Sequence, residues 1–363
     1  MGDDERAYWV LLTQVAGIGP VRFRRLVELC GSAREAWGAS DLQLARAGVE
    51  QRSAQSLRQL RARTSPAAAM AQLEQLGLRA VTTLDEGYPG LLRQIPDPPP
   101  VLYVRGRLAA VDAVAVALVG TRRASPYGRA VAERLARDLV AAGITVVSGL
   151  AKGVDTVAHR AAVDAGGRTI AVMGNGLDQV YPPENGPLAR RIVERDAGAL
   201  VSEFAPGTPP DAVNFPRRNR IIAGLCPATV IVEAGVRSGA LITADFALEQ
   251  GREVLAVPGS ILSPLSAGPN GLLRQGATPV TGVQDILEAL GLTTTQAPPV
   301  ARPLPLLDAD ELTVYEALGG APRHVDELSR TLGRGAADVS ATLAVLELRG
   351  LARPVAPMAY VRA

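Results

Sequence analysis

Lysine is almost missing from this 363-residue chain: of 38 cationic residues, only Lys152 is not an arginine. Cysteine is nearly as scarce. Cys30 and Cys226 lie far apart and no C-x-x-C pair occurs, which argues against a disulfide framework or a cysteine zinc site and fits a reducing cytosol. Histidine is limited to His159 and His324, and aromatic residues make up 4%. No run of 18 apolar residues occurs, and the N-terminal MGDDERAYW is acidic and has no apolar h-region. The expectation is a soluble, unexported, cytoplasmic protein. A net charge of only +2 gives no global basic field, so any anion site must be local.

What is present is apolar and rich in glycine. A hydrophobic content of 47% over this length supports a sizeable core and two or three domains. Residues 1–63 read as helical, with Gly17-Ile18-Gly19-Pro20 turning between two amphipathic stretches. That is a SAM-like, helix-hairpin-helix pattern, whose turns present backbone N–H groups to phosphates. A plain helical connection fits the same residues.

Residues 64–292 alternate short apolar runs with amphipathic ones. AVALVG, ITVVSG, RTIAVMG, ALVSEF, ATVIVEAG and REVLAVPG read as strands, with GLRAVTTL and VLYVRG flanking them. This predicts an α/β fold: an extended Rossmann-like, doubly wound, mainly parallel sheet. Residues 293–307 form a proline-rich linker, and 308–363 read as a winged-helix-like module. With eight acids against six arginines, that module suits protein contact or regulation better than groove reading.

Ligands of doubly wound sheets sit outside the C-terminal strand ends. Here those ends carry Gly120-Thr121-Arg122-Arg123, Ser148-Gly149-Leu150-Ala151-Lys152-Gly153, Gly174-Asn175-Gly176, Ser202-Glu203 and Glu233-Ala234-Gly235. VGTRRASPYG lacks G-x-G-x-x-G, and GLAKGVDT is not a phosphate-binding G-x-x-x-x-G-K-[ST] loop. No cofactor is expected. Glu203 and Glu233 could act as acid or base, but no nucleophile converges on either in sequence, and pairing with arginine serves them equally. His159, at helical spacing in DTVAHRAAV, suits packing or capping better than catalysis.

The stretch NFPRRNRIIAG (214–224) places three arginines at a helix start beside an apolar run. Cations there oppose the helix dipole, a conflict that an external anion would resolve. Glycines, cations, asparagines and one aromatic describe a phosphate-tracking groove, with Phe215 offering a face for base stacking.

VGTRRAS, SGLAKGVDTVAHRAA, GNGLDQVYPPENGPL, SEFAPGTPP, NFPRRNRIIAGL, IVEAGVRSGALITADFALEQGREVLAVPG and GPNGLLRQGA, in this order, resemble the DprA/Smf family of bacterial DNA-processing proteins. The resemblance spans about 115–285, and the flanking modules match the family's three-part layout. It implies a non-enzymatic recombination mediator that binds and protects incoming single-stranded DNA in natural transformation. It further implies loading of the RecA recombinase, dealings with single-strand-binding protein, and a homodimer through the central domain. Arg122 and Lys152 match the family's principal phosphate contacts, and Arg217, Arg218, Asn219 and Arg220 its RNR-type stretch. The full expected contact set adds Arg123, Ser148, Gly149, Gly153, Asn185, Phe215 and Ser238. The competing class is a nucleotide-phosphoribohydrolase-like enzyme. Its P-G-G-x-G-T-x-x-E loop loses the signature glutamate here, although Asp245 follows nearby.

Overall fold

The computed structural model describes residues 2–292, 307–319 and 321–362. The expected linker, 293–307, lies outside the described residues apart from Leu307. The chain divides into two compact units, Met1–Thr293 and Thr294–Ala363.

The first unit opens with six helices: α1 (Asp3–Thr13), α2 (Pro20–Cys30), α3 (Ala33–Gly38), α4 (Asp41–Arg46), α5 (Gln51–Arg63) and α6 (Pro66–Gln75). Serines set several of their starts. The side chains of Ser32, Ser40 and Ser65 accept the N–H groups of Glu35, Gln43 and Ala68, which satisfies donors that a helix start leaves open. Pro20 begins α2 where its missing N–H costs nothing. Leu11, Leu12, Leu26, Leu44 and Leu57 are fully buried and join one core with Tyr103, Leu150, Met173 and Ile192 of the sheet layer. The helical segment therefore shares a core with the sheet.

The sheet layer then runs β1 (Arg79–Thr82), α7 (Gly90–Arg93), β2 (Val101–Gly106), β3 (Ala115–Val119), α8 (Pro126–Ala141), β4 (Thr145–Ser148) and α9 (Val154–Asp164). It continues through β5 (Thr169–Val172), α10 (Gly186–Glu194), β6 (Gly198–Ser202), α11 (Asn214–Gly224), β7 (Ala228–Ile231) and α12 (Gly239–Glu249). It closes with β8 (Glu253–Ala256), α13 (Ala267–Arg274), β9 (Thr278–Pro279) and α14 (Val283–Ala289). The order across the sheet is β1-β2-β6-β5-β4-β3-β7-β8-β9. From β6 to β9 every pairing is parallel, while β1 and β2 are antiparallel additions at one edge.

β3 shows why these strands are apolar throughout. Ala115, Ala117 and Val119 enter the core on one face, and Val116 and Leu118 enter the core on the other. With both faces covered by helices, no position is left for a polar alternation. The chain leaves β3 outward through β4, β5 and β6, then returns to place β7 on β3's other side. That reversal opens a crevice at the C-terminal ends of β3 and β7.

The second unit holds α15 (Ala309–Ala317), β10 (Arg323–His324), α16 (Val325–Leu332), α17 (Ala336–Leu348), β11 (Ala352–Ala356) and β12 (Ala359–Arg362). Three helices and a three-stranded antiparallel sheet, ordered β10-β12-β11, enclose Val314, Leu328, Leu343 and Leu346. This is a winged-helix arrangement. Among the described residues, no helix is long and apolar enough to cross a membrane.

Candidate nucleic-acid interface

The crevice at β3 and β7 is a cleft of about 570 Å³. Its walls come from the loop after β3, the starts of α9 and α12, the first turns of α11, and Tyr181 in the loop after β5. Arg122, Arg123, Phe215, Arg218, Asn219 and Ser238 all line it. A smaller recess beside it is bounded by Arg122, Gly149, Lys152, Tyr181, Phe215 and Arg218.

The two loops that carry these groups are held by buried polar contacts. Glu233, at the end of β7, accepts the Ser125 N–H at 2.9 Å and the Ser125 hydroxyl at 2.5 Å, which fixes the start of α8. The buried Asp155 carboxylate accepts the N–H groups of Gly149 (3.1 Å) and Ala151 (3.3 Å). Burial raises the Asp155 pKa, against the opposing field of Arg218. His159 Nε2 accepts the Leu150 N–H at 3.3 Å, and its Nδ1 lies 2.6 Å from the Thr169 hydroxyl. That hydroxyl already donates to the Val146 carbonyl, so the imidazole is neutral with its proton on Nδ1. Burial, reinforced by the Arg218 charge, lowers its pKa to about 3. Gly153, at φ +82°, joins the loops, because a Cβ there would collide with the Thr121 carbonyl.

Arg218 is the buried cation beneath the cleft. Its Nη1 donates to the carbonyls of Gly149 (2.7 Å) and Val172, and its Nε donates to Asn219 Oδ1 at 3.2 Å. Burial lowers its pKa to about 10, with Asp155 opposing and Arg122 adding to the shift. Above it lies Phe215, with Arg218 5.9 Å and Arg122 5.6 Å from the ring centroid. Tyr181 packs on the same ring at 5.6 Å, tilted by 39°. Lys152 stands at the mouth of the recess, its ammonium 2.6 Å from Glu184. Hydrogen bonding to Lys152 lowers the Glu184 pKa.

Several expected contacts lie elsewhere. Ser148 is fully buried and its hydroxyl donates to the Leu118 carbonyl at 2.6 Å, so it offers no side chain to a ligand. Asn185 is a brace: its amide donates to the Leu150 carbonyl at 2.7 Å and the Thr156 hydroxyl at 2.9 Å. Arg220 is buried away from the cleft, bonded to Glu203 Oε2 at 2.6 Å and Asp97 Oδ2 at 3.0 Å. Its counter-charges are internal, which corrects the expectation that all three arginines of NFPRRNRIIAG await an outside anion. Arg217 turns to a different groove, with its guanidinium 5.7 Å from the Phe204 ring centroid. Ser238 caps α12 by accepting the Ala240 N–H at 3.3 Å.

Sequence reasoning missed Tyr181 and Asp155. An aromatic residue ahead of Pro182-Pro183 in a loop leaving a strand's C-terminal end was the available signal for Tyr181. For Asp155 the signal was a carboxylate in the first turn of a helix after a glycine-rich loop. Of the three carboxylates considered for catalysis, Glu233 is committed to Ser125, Glu203 to Arg220, and Asp245 is exposed on α12 outside the cleft lining.

The family model for DNA recombination-mediator protein A matches residues 79–291, and the DprA winged helix domain model matches 296–356. The protein Smf of Escherichia coli (strain K12) is 41% identical over 313 residues, covering 83% of this chain and 81% of that one. Among solved structures, DNA processing protein A from Streptococcus pneumoniae superposes with TM-score 0.66 at 35% identity, covering 78% of this chain and 97% of the other. The Helicobacter pylori protein, whose structure is described for its single-stranded DNA binding mode, aligns with TM-score 0.53 at 30% identity over 59% and 95% of the two chains.

Proposed function

The chain belongs to the DNA recombination-mediator protein A family, and from that premise we propose that it binds single-stranded DNA along the β3–β7 cleft. The observation that carries this reading is the grouping of Arg122, Arg218, Lys152 and Tyr181 around one half-buried ring, Phe215. Arg122 and Arg123 are exposed and have no acidic partner among the described residues. The starts of α9, α11 and α12 border the same space and favour anions there. Phosphates would meet Arg122, Arg123 and Lys152, with Asn219 and Ser238 on the opposite wall. Bases would stack on the exposed parts of the aromatic pair.

On this reading the protein is a mediator without catalysis. It shields incoming strands during natural transformation or repair and delivers RecA to them, working with or against single-strand-binding protein. It works in the cytoplasm as a homodimer of the central domain. The proposed division is a helical segment 1–63, a DNA-binding segment 64–292, a linker 293–307 and a terminal module 308–363.

Gel shifts test the first step. Oligo-dT should bind far better than duplex, and log affinity should fall with log salt by about 0.7 per phosphate contact. Arg122→Glu and Lys152→Glu should each reverse a contact and weaken binding; binding untouched by both would remove the assignment. Incubation with nucleoside monophosphates tests the phosphoribohydrolase alternative. Base release that depends on Glu203, Glu233 or Asp245 would overturn the non-enzymatic reading.

A further inference from the structure

A second groove, of about 460 Å³, separates the Gly17–Gly19 turn from the Glu203–Thr208 loop, with Arg217 at its rim. The three arginines of α11 have three different fates. Arg218 donates to backbone carbonyls and Arg220 is bound to Asp97 and Glu203. Arg217 is exposed and forms no salt bridge among the described residues, its acidic influence being the field it exerts on Glu203. It sits in the first turn of α11, where the helix dipole opposes a cation. Across the groove, the eleven-residue helix α2 begins at Pro20 and turns its positive end to the same space. Apart from Glu203, none of the described acidic residues lines the groove.

Just beneath the groove wall lies a buried acceptor, unpaired among the described residues. The Glu203 side chain is 7% exposed; Oε2 is taken by Arg220, and Oε1 has no hydrogen-bond partner among the described residues. A free anion has nothing to donate to a carboxylate oxygen, whereas a nucleobase carrying an amino group does. The half-buried Phe204 ring, under Arg217, supplies an apolar surface beside both.

We infer that this groove is a second nucleotide subsite, resting on the single-strand reading above. A strand leaving the main cleft crosses the first turn of α11 and lays a phosphate between Arg217 and the Gly17–Gly19 turn. Its base packs on Phe204 and offers an amino group to Glu203 Oε1. The helical hairpin thus lengthens the binding path rather than reading a separate duplex.

The test is fluorescence anisotropy on the full chain, with oligo-dC strands of about 4 to 16 nucleotides, the span of single-strand sites on one fold. Arg217→Ala should leave short strands unchanged, remove the later part of the rise in affinity with length, and lower the salt slope on long strands by about 0.7. Gly19→Asp probes the opposite wall. Gly19 is the extended N-cap of α2 with open space where a Cβ would stand, so Asp caps the helix while placing a carboxylate at the phosphate position. It should remove the same increment without loss of thermal stability. Equal loss on short and long strands with Arg217→Ala would put Arg217 in the main cleft and sink the proposal, as would long-strand binding untouched by either variant. An increment no larger in oligo-dC than in oligo-dT would overturn the Glu203 contact. Failure of the wild type to bind any strand would remove both readings, whereas weakening of all strands by Arg122→Glu with no effect of Arg217→Ala or Gly19→Asp would keep the main cleft and remove the second groove alone.

Discussion

The guanidinium of Arg218 lies flat against Gly149, donating to its carbonyl at 2.7 Å, and a Cβ on that glycine would overlap the guanidinium carbon and both terminal nitrogens. The glycine of GLAKG thus makes room for a buried arginine rather than for a ligand. Gly149→Ala should push Arg218 toward the cleft and cost about 1–3 kcal/mol, as overpacking does. Urea denaturation reads the loss, and oligo-dT affinity should fall with it because Phe215, on which Arg122 packs, rests on the displaced side chain. Unchanged stability would mean that the loop yields more readily than its buried contacts imply.

Tyr181 is 39% exposed and tilted on Phe215, so it carries the outer part of the aromatic surface. Tyr181→Ala should cost about 1–3 kcal/mol in binding of a normal strand and nothing on an abasic strand of equal length. Tyr181→Phe should keep wild-type affinity, since the ring and not the hydroxyl meets the base. A loss that persists on the abasic strand would assign Tyr181 to phosphate contact instead.

Arg220 and Arg217 stand three residues apart and should fail in different assays. Arg220→Met strands the buried Glu203 beside Asp97 and should cost about 3–5 kcal/mol of stability. The protein that remains folded should bind short oligo-dT as the wild type does. Normal stability with weakened short-strand binding would return Arg220 to the cleft.

His159 sets an acid limit on stability. Its folded pKa, about 3, lies below the ordinary imidazole value of 6.5, so below 6.5 the unfolded chain takes up a proton that the folded chain refuses. The stability gained from keeping it neutral is complete above 6.5 and is lost as pH falls from there toward 3, at up to about 1.4 kcal/mol per pH unit. Burial raises the Asp155 and Glu203 pKa values, and such groups act with the opposite sign upward from the ordinary carboxylate range, so a control is needed. Denaturation midpoints of wild type and His159→Gln should converge as pH drops from about 7 to about 5, the variant being the flatter. Parallel curves would show that His159 is not the group responsible.

The strands were legible because a sheet covered on both faces leaves continuous apolar runs, as in AVALV and ATVI. The crevice followed from the connections between them. Side-chain destinations did not. In NFPRRNR, Arg218 stands about 100° from Arg217 and about 200° from Arg220 around one helix, so it meets the sheet's carbonyl ends while the other two, on the far side, meet a groove and a pair of acids. Asp97, which holds Arg220, comes from the proline-rich turn before β2, a contact across more than a hundred positions that no local pattern encodes. Ser148 was misplaced for a similar reason. A strand-end hydroxyl can face outward or donate to the neighbouring strand, and here Leu118 O takes it.

Lys152, paired with Glu184 and more than half exposed, has a practical consequence. Because the chain has no other lysine, an amine-directed reagent can react with side-chain nitrogen at one address only, the rim of the recess. A single acylation there reports on occupancy of the cleft, and a lysine-specific protease has one bond to cut. The arginine bias of the composition turns that residue into a built-in footprint for whatever the recess holds.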